Sequence, residues 1–229
     1  SNNGADFPVG LTAQGESLKD LLRVISGGDR PLFEEGFPVF QPLLFSFAGA
    51  DGTVDGVVSG NIFDNKRRIY ELDGQRGINS AEAALNEIII RLSRDRRANR
   101  NRGPELERIP LITGRISIPV LSVHTLGDLF VPFKMQQIYA QEVKRKGLED
   151  LLVQRATRAI GHCEFSSEEL IRTFDDLVLW VDEGVRPEGD DVLDPEVVAE
   201  PTYGCTYTEG STGSPPDILR TGLCQAGGS

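Results

Sequence analysis

The hydrophobic positions near the start of the chain predict a short amphipathic helix over residues 15–28. Apolar side chains recur at helical spacing, Ser17 can cap the first turn, and the pattern stops at Gly27 and Gly28. The apolar positions are Leu18, Leu21, Leu22 and Ile25.

The next apolar residues follow neither the helical nor the strand period. Residues 33–63 hold six of the eleven phenylalanines of the chain, among prolines and glycines. No period of about 2 or 3.6 is sustained, and we therefore expect an irregular, aromatic-lined insertion. The six are Phe33, Phe37, Phe40, Phe45, Phe47 and Phe63.

A further helix is predicted to begin at Asn79 or Ser80, with a basic run at residues 91–102 after it. Such a run can bind nucleic acid or a membrane surface. Cations also favour the carboxyl end of a helix, however, and the rest of the chain is strongly acidic. We therefore expect the basic run to be a solvated structural feature. The apolar stripe of the helix is Ala81, Ala84, Leu85, Ile88, Ile89 and Leu92.

From residue 118 onward the pattern alternates between strand and helix. Strands are predicted at 118–123 and 151–158. One helix opens at Pro132 and stops before Gly147, and a second is capped by Ser166 with Glu169. Such alternation is typical of a parallel sheet covered by helices, so the predicted class is α/β. The apolar positions expected to face inward on the second helix are Leu170, Phe174, Leu177, Val178 and Val181.

Composition narrows the class of protein. The 229 residues carry a net charge of −11 with a pI near 4.7, which argues against nucleic acid as a partner. A hydrophobic fraction of 39% is enough to form a core. No apolar run approaches the roughly 18 residues of a membrane-spanning helix, so no membrane association is expected.

The three cysteines indicate a protein that functions outside the cell. Cys205 and Cys224 lie in a stretch poor in apolar residues, where a disulfide would stabilise the fold, and we expect them to pair. Cys163 is then left for a bond to another polypeptide or as a free thiol.

The amino terminus indicates a processed polypeptide. The one methionine is Met135, and the chain opens at Ser1 with neither an initiator nor a signal region. We expect that an upstream portion was removed or persists as a separate chain. The alternative is a protein trimmed for expression.

Candidate chemistry follows each predicted strand. Asp128 comes after the first strand, and His162 comes 34 residues later, after the second. Loops at the carboxyl ends of parallel strands converge on one crevice. The segment 118–132, with Gly127-Asp128 and Val131-Pro132, resembles the acid loop of the α/β-hydrolase superfamily. Residues 161–165, 177–180 and 183–187 resemble the histidine loop and last helix of secreted members.

The resemblance implies the carboxyl-terminal half of an α/β-hydrolase that functions as a secreted serine esterase. His162 would take the proton of a serine hydroxyl, and Asp128 would orient the imidazole. The alternative for His162 is a buried structural histidine. His124 is expected to be structural, packed beneath the acid loop. No metal and no cofactor are expected, because paired histidines and cysteine clusters are absent from the sequence.

The nucleophile is missing from the sequence. A serine hydrolase of this superfamily needs a Gly-x-Ser-x-Gly elbow, and the nearest approach, around Ser59, has its first glycine one place too far away. Because the superfamily order is serine, acid and histidine, we expect the serine on a companion amino-terminal chain of the same precursor. The arrangement at His162-Cys163 is similar to that of tannases and feruloyl esterases, which implies a disulfide from Cys163 to that companion.

These expectations divide the chain into a lid or insertion region at 1–75, the carboxyl-terminal half of the catalytic domain at 76–187, and an acidic, disulfide-stapled surface tail at 188–229. The expected substrate is an ester of a hydrophobic or aromatic acid, with a peptide or other amide as the alternative. The candidate substrate-binding side chains are Phe37, Phe40, Phe45, Phe47 and Phe130.

Two other functions remain as alternatives. Ser1 could be the nucleophile of an autoproteolytically produced hydrolase, with its own amine as the base. The chain could instead be a secreted interaction module with hydrolase architecture and no catalysis.

Overall fold

Six α-helices and two β-strands account for most of the regular structure described here. The computed structural model describes residues 11, 13–47, 64–72, 77–93, 112–212 and 218–224, with the backbone alone at residues 14 and 42–47. The elements are α1 (Ala13–Ile25), α2 (Phe33–Phe47), α3 (Ser80–Ile88), β1 (Val120–Thr125), α4 (Lys134–Lys144), β2 (Leu152–Thr157), α5 (Ser167–Glu183) and α6 (Pro195–Val198). Short 3₁₀-helices lie at Glu149–Leu151 and Cys205–Tyr207, and a π-helix lies at Ile218–Gly222.

The two strands pair in parallel, in a register that runs from Val120 opposite Leu152 to Thr125 opposite Thr157. The predicted order of strand, helix, strand and helix is confirmed for this segment. β1 begins two residues later than the predicted strand, directly after Pro119, which has no N–H to donate to a ladder. The assignment to the α/β-hydrolase fold stays a prediction, since two strands do not identify a fold.

Local capping explains where two helices begin. Asn79 caps α3 and forms a capping box with Glu82. Ser166 and Glu169 form the predicted box at the start of α5, which ends at Gly184 in the left-handed conformation. The predicted cap at Ser17 is wrong, because α1 starts at Ala13 and the Ser17 hydroxyl donates to the Ala13 carbonyl within the helix.

Residues 33–47 form the helix α2, where the sequence predicts an irregular segment. Phe33, Phe37 and Phe40 are buried and lie at helical spacing on one face. Gly36 lies on the same face, and a Cβ there would be 2.2 Å from the Gly127 carbonyl oxygen. Burial of this face outweighs the prolines at 38 and 42, which obscured the helix in the sequence.

The chain divides into two compact units, one of Ser1–Val24 with Gln41–Leu111 and the other of Ile25–Phe40 with Ile112–Ser229. In the first unit, the buried Glu82 carboxylate accepts from the Leu72 N–H at 2.6 Å. Arg91 donates to the carbonyls of Asn65 and Asn86. The first arginine of the basic run is therefore a structural connector, and residues 94–102 lie outside the described part.

The core of the second unit takes much of its packing from the carboxyl-terminal segment. Its buried cluster comprises Leu126, Phe133, Ala156, Val192, Val198 and Tyr203. The expectation that residues 188–229 form a surface tail is therefore wrong for part of the segment. Its buried residues are widely spaced along the chain, so no periodic pattern revealed them.

The same segment closes the outer edge of β2. The Asp190 N–H donates to the Gln154 carbonyl, and the Ala156 N–H donates to the Asp190 carboxylate, each at 2.8 Å. Gly189 permits this approach, because a Cβ there would be 2.6 Å from the Gln154 oxygen. Burial raises the pKa of Asp190, although the Ala156 N–H and Arg155 oppose that shift.

The other edge of the sheet is formed by β1. Among the described residues, β1 pairs with no strand except β2. Most of the predicted inward face of α5 is exposed, with Phe174 at 65%, while Leu177 is half-buried, and the buried residues of the helix are Glu169 and Trp180. The prediction that this stripe is buried is wrong for this chain, because nothing described covers it. The exposed apolar side chains of α5 are Leu170, Ile171, Phe174, Val178, Leu179 and Val181.

The predicted disulfide between Cys205 and Cys224 is present, across a sequence separation of 19. Within the described ranges, none of the helices combines the length and apolar character needed to cross a bilayer.

We expect replacement of both Cys205 and Cys224 by alanine to lower the free energy of unfolding by about 3 kcal/mol, because the unfolded chain gains the entropy of an open loop. Urea unfolding of the variant and the wild type measures this loss. Cys163→Ala is the matched control and should have a smaller effect, since Cys163 is exposed. An unchanged midpoint in the double variant would contradict the prediction.

Candidate active site

Two loops meet where the parallel strands end. We call residues 126–133, between β1 and α4, the acid loop, and residues 158–166, between β2 and α5, the histidine loop. The Leu126 N–H donates to the Thr157 carbonyl at 3.0 Å, and the Gly127 N–H donates to the Ala159 carbonyl at 2.9 Å. A Cβ on Gly127 would be 2.8 Å from the Cα of Ile160, so the loops approach closely only because residue 127 is glycine.

Asp128 is fixed by the backbone of its own loop. Its Oδ1 accepts from the N–H of Phe130 at 2.7 Å and from the N–H of Val131 at 3.1 Å. The residue is 2% exposed. One carboxylate oxygen is thus occupied by the acid loop, which leaves Oδ2 to face the histidine loop.

His162 meets that second oxygen. Its Nδ1 lies 2.7 Å from Asp128 Oδ2, a distance at which the ring N–H donates to the carboxylate. The His162 side chain is 41% exposed, on the side away from Asp128. With its proton held on Nδ1, the imidazole presents a lone pair at Nε2, as a general base requires. The structure brings together the two residues that the sequence singled out.

One side chain from β1 and one from the loop itself hold the histidine loop in this position. The Thr125 hydroxyl donates to the Gly161 carbonyl at 2.9 Å, and the Gly161 N–H donates to the Glu164 carboxylate at 2.6 Å. Glu164 therefore closes a tight turn around His162.

Cys163 follows His162 in the left-handed backbone region, with φ of 55°. Its side chain is exposed and free in this structure. The sulphur lies 3.6 Å from His162 Nε2. A positive φ is uncommon for a residue with a side chain, and here it accompanies the placement of the thiol at the exposed face of the imidazole.

Arg30 is a neighbour of the acid loop that no pattern in the sequence indicated. The guanidinium is buried and donates to the Leu126 carbonyl at 2.8 Å, at the start of the acid loop. Burial lowers the pKa of Arg30 to about 10, and the nearby Asp128 charge opposes this shift. Arg30 lies 96 positions before Leu126, and no local motif marks it.

His124 is buried at the end of β1 and packs against Phe133, in agreement with the expected structural role. Burial lowers the pKa of His124 below its ordinary value of 6.5, and Asp128 is the main opposing influence. A neutral histidine here avoids a second positive charge beside Arg30.

The candidate substrate-binding phenylalanines separate into two groups. Phe130 is nearly half exposed, and its ring meets the His162 ring edge to face at 5.0 Å between centroids. Phe37 and Phe40 are buried in core packing, so the structure does not present them as open walls. The side chains of Phe45 and Phe47 lie outside the described residues.

The described residues do not supply a serine to the exposed nitrogen of His162. Within those ranges, the hydrogen-bond partner of Nε2 is the Cys163 sulphur. Ser1 and Ser59 lie outside the described part. No group of three or more His, Cys, Asp or Glu side chains able to bind a metal ion is found within the described ranges.

One named protein resembles part of the chain. Over 83 residues, 35% of this chain, the sequence is 28% identical to an o-phthalyl amidase from Xanthobacter agilis, and the match spans 18% of that protein. No protein-family model and no solved structure matches. The similarity points to a hydrolase-like protein.

The low pKa of His124 predicts a pH dependence of stability. Because the unfolded chain binds a proton to this residue more readily, the free energy of unfolding should fall as pH is lowered through 6.5. The stabilisation is fully present above that pH. Urea unfolding between about pH 8 and pH 5 measures the slope. His124→Gln should show a shallower slope, and equal slopes in the two proteins would contradict the prediction.

Proposed function

We propose that the chain belongs to a serine hydrolase in which His162 is the general base and Asp128 orients it. The observation that carries the proposal is the 2.7 Å contact between His162 Nδ1 and the buried Asp128 carboxylate, at the adjacent ends of two parallel strands. The similarity to a named amidase supports hydrolase chemistry.

The geometry supports different roles for His162 and Asp128. His162 Nε2 accepts the proton of a serine hydroxyl as the hydroxyl attacks the acyl carbon, and then returns that proton to the leaving group. Asp128 keeps the other ring nitrogen protonated and stabilises the imidazolium that forms. Because the acid loop occupies its Oδ1, rotation of the carboxylate away from His162 would break two backbone hydrogen bonds.

We place the nucleophile on a companion amino-terminal chain of the same precursor. Two features of the described residues support a partner that extends the sheet: the edge of β1 that pairs with no described strand, and the exposed apolar stripe of α5. Parallel sheets are ordinarily covered on both faces and contain more than two strands. A strand added beside β1 would bring its own carboxyl end next to the acid loop, where the serine is required.

Cys163 is proposed to form a disulfide with that companion. Its thiol is exposed, lies beside Nε2 and is not needed to hold His162 against Asp128. Such a bond would join the two chains at the reacting centre. Together with the disulfide in the carboxyl-terminal segment, this chemistry suits a secreted protein.

The proposed substrate is a small ester of a hydrophobic or aromatic acid. The exposed Phe130 ring beside His162 supplies an apolar surface next to the site of bond cleavage. Hydrolysis of an amide is the second candidate, because the named relative is an o-phthalyl amidase. Both reactions use the same base and differ in the leaving group that receives the proton.

Loss of either residue of the pair should remove most of the activity. In the assembled protein, we expect Asp128→Asn to lower kcat by about 10⁴-fold, through loss of the correct tautomer, and His162→Gln to lower it by about 10⁶-fold, through loss of the base. Hydrolysis of aryl esters and aryl amides provides the assay. Asp182→Asn, which alters an exposed residue of α5, is the control and should be unaffected. Activity that survives His162→Gln would refute the proposed role.

The companion chain has its own test. Intact mass spectrometry of the natural protein, before and after reduction, should show a second polypeptide that Cys163→Ser releases without reduction. A fluorophosphonate probe should label a serine on that polypeptide. Labelling of Ser59 or Ser1 instead would overturn the two-chain proposal while retaining a hydrolase. Absence of both labelling and a second chain would favour a non-catalytic interaction module.

A further inference from the structure

A buried arginine in the carboxyl-terminal segment contacts the start of the histidine loop directly and the end of the loop through Glu169. Arg220 lies on the π-helix Ile218–Gly222 and is fully buried. Its guanidinium has five N–H groups in a rigid plane, which lets one side chain join several acceptors at once.

The first contact is with the start of the histidine loop. Arg220 Nη1 donates to the Arg158 carbonyl at 2.9 Å. In return, the Arg158 guanidinium donates to the Leu219 carbonyl through Nε at 3.3 Å and Nη2 at 3.2 Å. Arg220 therefore binds the backbone of Arg158, and Arg158 binds the backbone of Leu219, the residue before Arg220. This reciprocal pairing fixes the loop four residues before His162.

The second contact reaches the end of the loop through Glu169. Arg220 Nη2 donates to Glu169 Oε1 at 2.5 Å. The other oxygen of Glu169 accepts from the Ser166 N–H at 2.9 Å, as part of the cap of α5. Arg220 thus holds the carboxylate that anchors the last residue of the histidine loop.

Burial makes this pair a geometric constraint. The side chains of Arg220 and Glu169 are 0% and 1% exposed. Removal of one member leaves the other as an uncompensated buried charge, so the surrounding backbone must rearrange. The backbone bonded to this pair includes the Arg158 carbonyl and the Ser166 N–H, at the two ends of the histidine loop, together with Glu209 of the carboxyl-terminal segment.

The Cys205–Cys224 disulfide lies close to Arg220 in the chain and helps to hold Arg220 beside the start of the histidine loop. Cys224 lies four residues after Arg220 and is bonded to Cys205. Three residues of the closed ring contact Arg158, since Thr208 accepts its N–H at 2.8 Å and Leu219 and Arg220 form the reciprocal pairing. The ring therefore presents a preassembled set of contacts to the start of the histidine loop.

We propose that Arg220 is a positioning residue that holds His162 against Asp128 by fixing both ends of the histidine loop, and that the Cys205–Cys224 disulfide keeps Arg220 in place. The inference rests on the proposed function of His162 as a general base. Arg220 touches neither reacting group, and its effect passes through Arg158, Glu169 and Ser166.

Hydrogen exchange on this chain tests the proposal directly. In Arg220→Met, amide exchange at residues 159–165 should accelerate by about tenfold or more relative to exchange in β1. The Nδ1–H signal of His162, observed with ¹⁵N-labelled histidine and assigned with His162→Gln, should broaden or disappear. The chain has only two histidines, which makes the assignment simple.

Arg172→Met is the matched control. Arg172 also joins the carboxyl-terminal segment to α5, through Glu209 and the Thr206 carbonyl, but none of its described contacts reaches the histidine loop. This variant should leave both signals close to those of the wild type. An equal effect of the two arginine variants on the loop would mean that Arg220 has a general structural role, and it would overturn the proposal.

Two further variants separate positioning from folding. Arg220→Lys keeps the charge but cannot reach both acceptors. Amides of the histidine loop should therefore exchange faster in this variant than in the wild type, while its melting temperature should be higher than that of Arg220→Met. The double change Cys205→Ala with Cys224→Ala should produce the same selective loop exchange. If Arg220→Met does not fold, Arg220→Lys is used to test the proposal. Loop amides that exchange as slowly in Arg220→Lys as in the wild type would overturn the inference.

None of these measurements requires substrate, so the inference and the proposed function can fail separately. Faster loop exchange in a protein whose assembled form lacks hydrolase activity would remove the proposed function and leave the positioning contact. Unaltered loop exchange in an active hydrolase would remove only the role of Arg220.

Discussion

The parallel pairing of β1 with β2 determines where Asp128 and His162 lie, because backbone hydrogen bonding between the two segments continues beyond the ends of the strands. Backbone hydrogen bonds from Leu126 and Gly127 extend the ladder into the two loops. The absence of a side chain on Gly127 then allows the loops to touch. Asp128 is the next residue, so its carboxylate meets His162 as a consequence of strand register.

Buried guanidinium groups support the irregular backbone that this arrangement creates. A loop that leaves a sheet carries carbonyls without ladder partners, and buried carbonyls need donors. Arg30 supplies one at the start of the acid loop, and Arg158 and Arg220 serve the histidine loop and the segment packed against it. The local geometry of the candidate site therefore depends on residues far away in sequence.

This dependence explains which features the sequence predicted. The capping box at Ser166 and Glu169 involves neighbours three positions apart, and the order of Asp128 and His162 follows from strand order, so both were accessible. Arg30 and Arg220 were not, because their partners are set by tertiary packing. The helix α2 was missed for a related reason, since its prolines argue locally against a helix that burial stabilises.

The amphipathic pattern of α5 predicted a buried face, and most of that face is exposed in this chain. A stripe of apolar residues at helical spacing indicates that burial of those residues is favourable, but it does not indicate which polypeptide buries them. Here, among the described residues, the stripe is largely exposed, on a helix that is capped at both ends, and β1 pairs with no strand except β2. Exposed apolar surface of this kind ordinarily marks an interface. We therefore take the conflict between pattern and exposure as support for the companion chain, since a partner that extends the sheet from β1 would cover apolar residues and bring a hydroxyl to His162 in the same step.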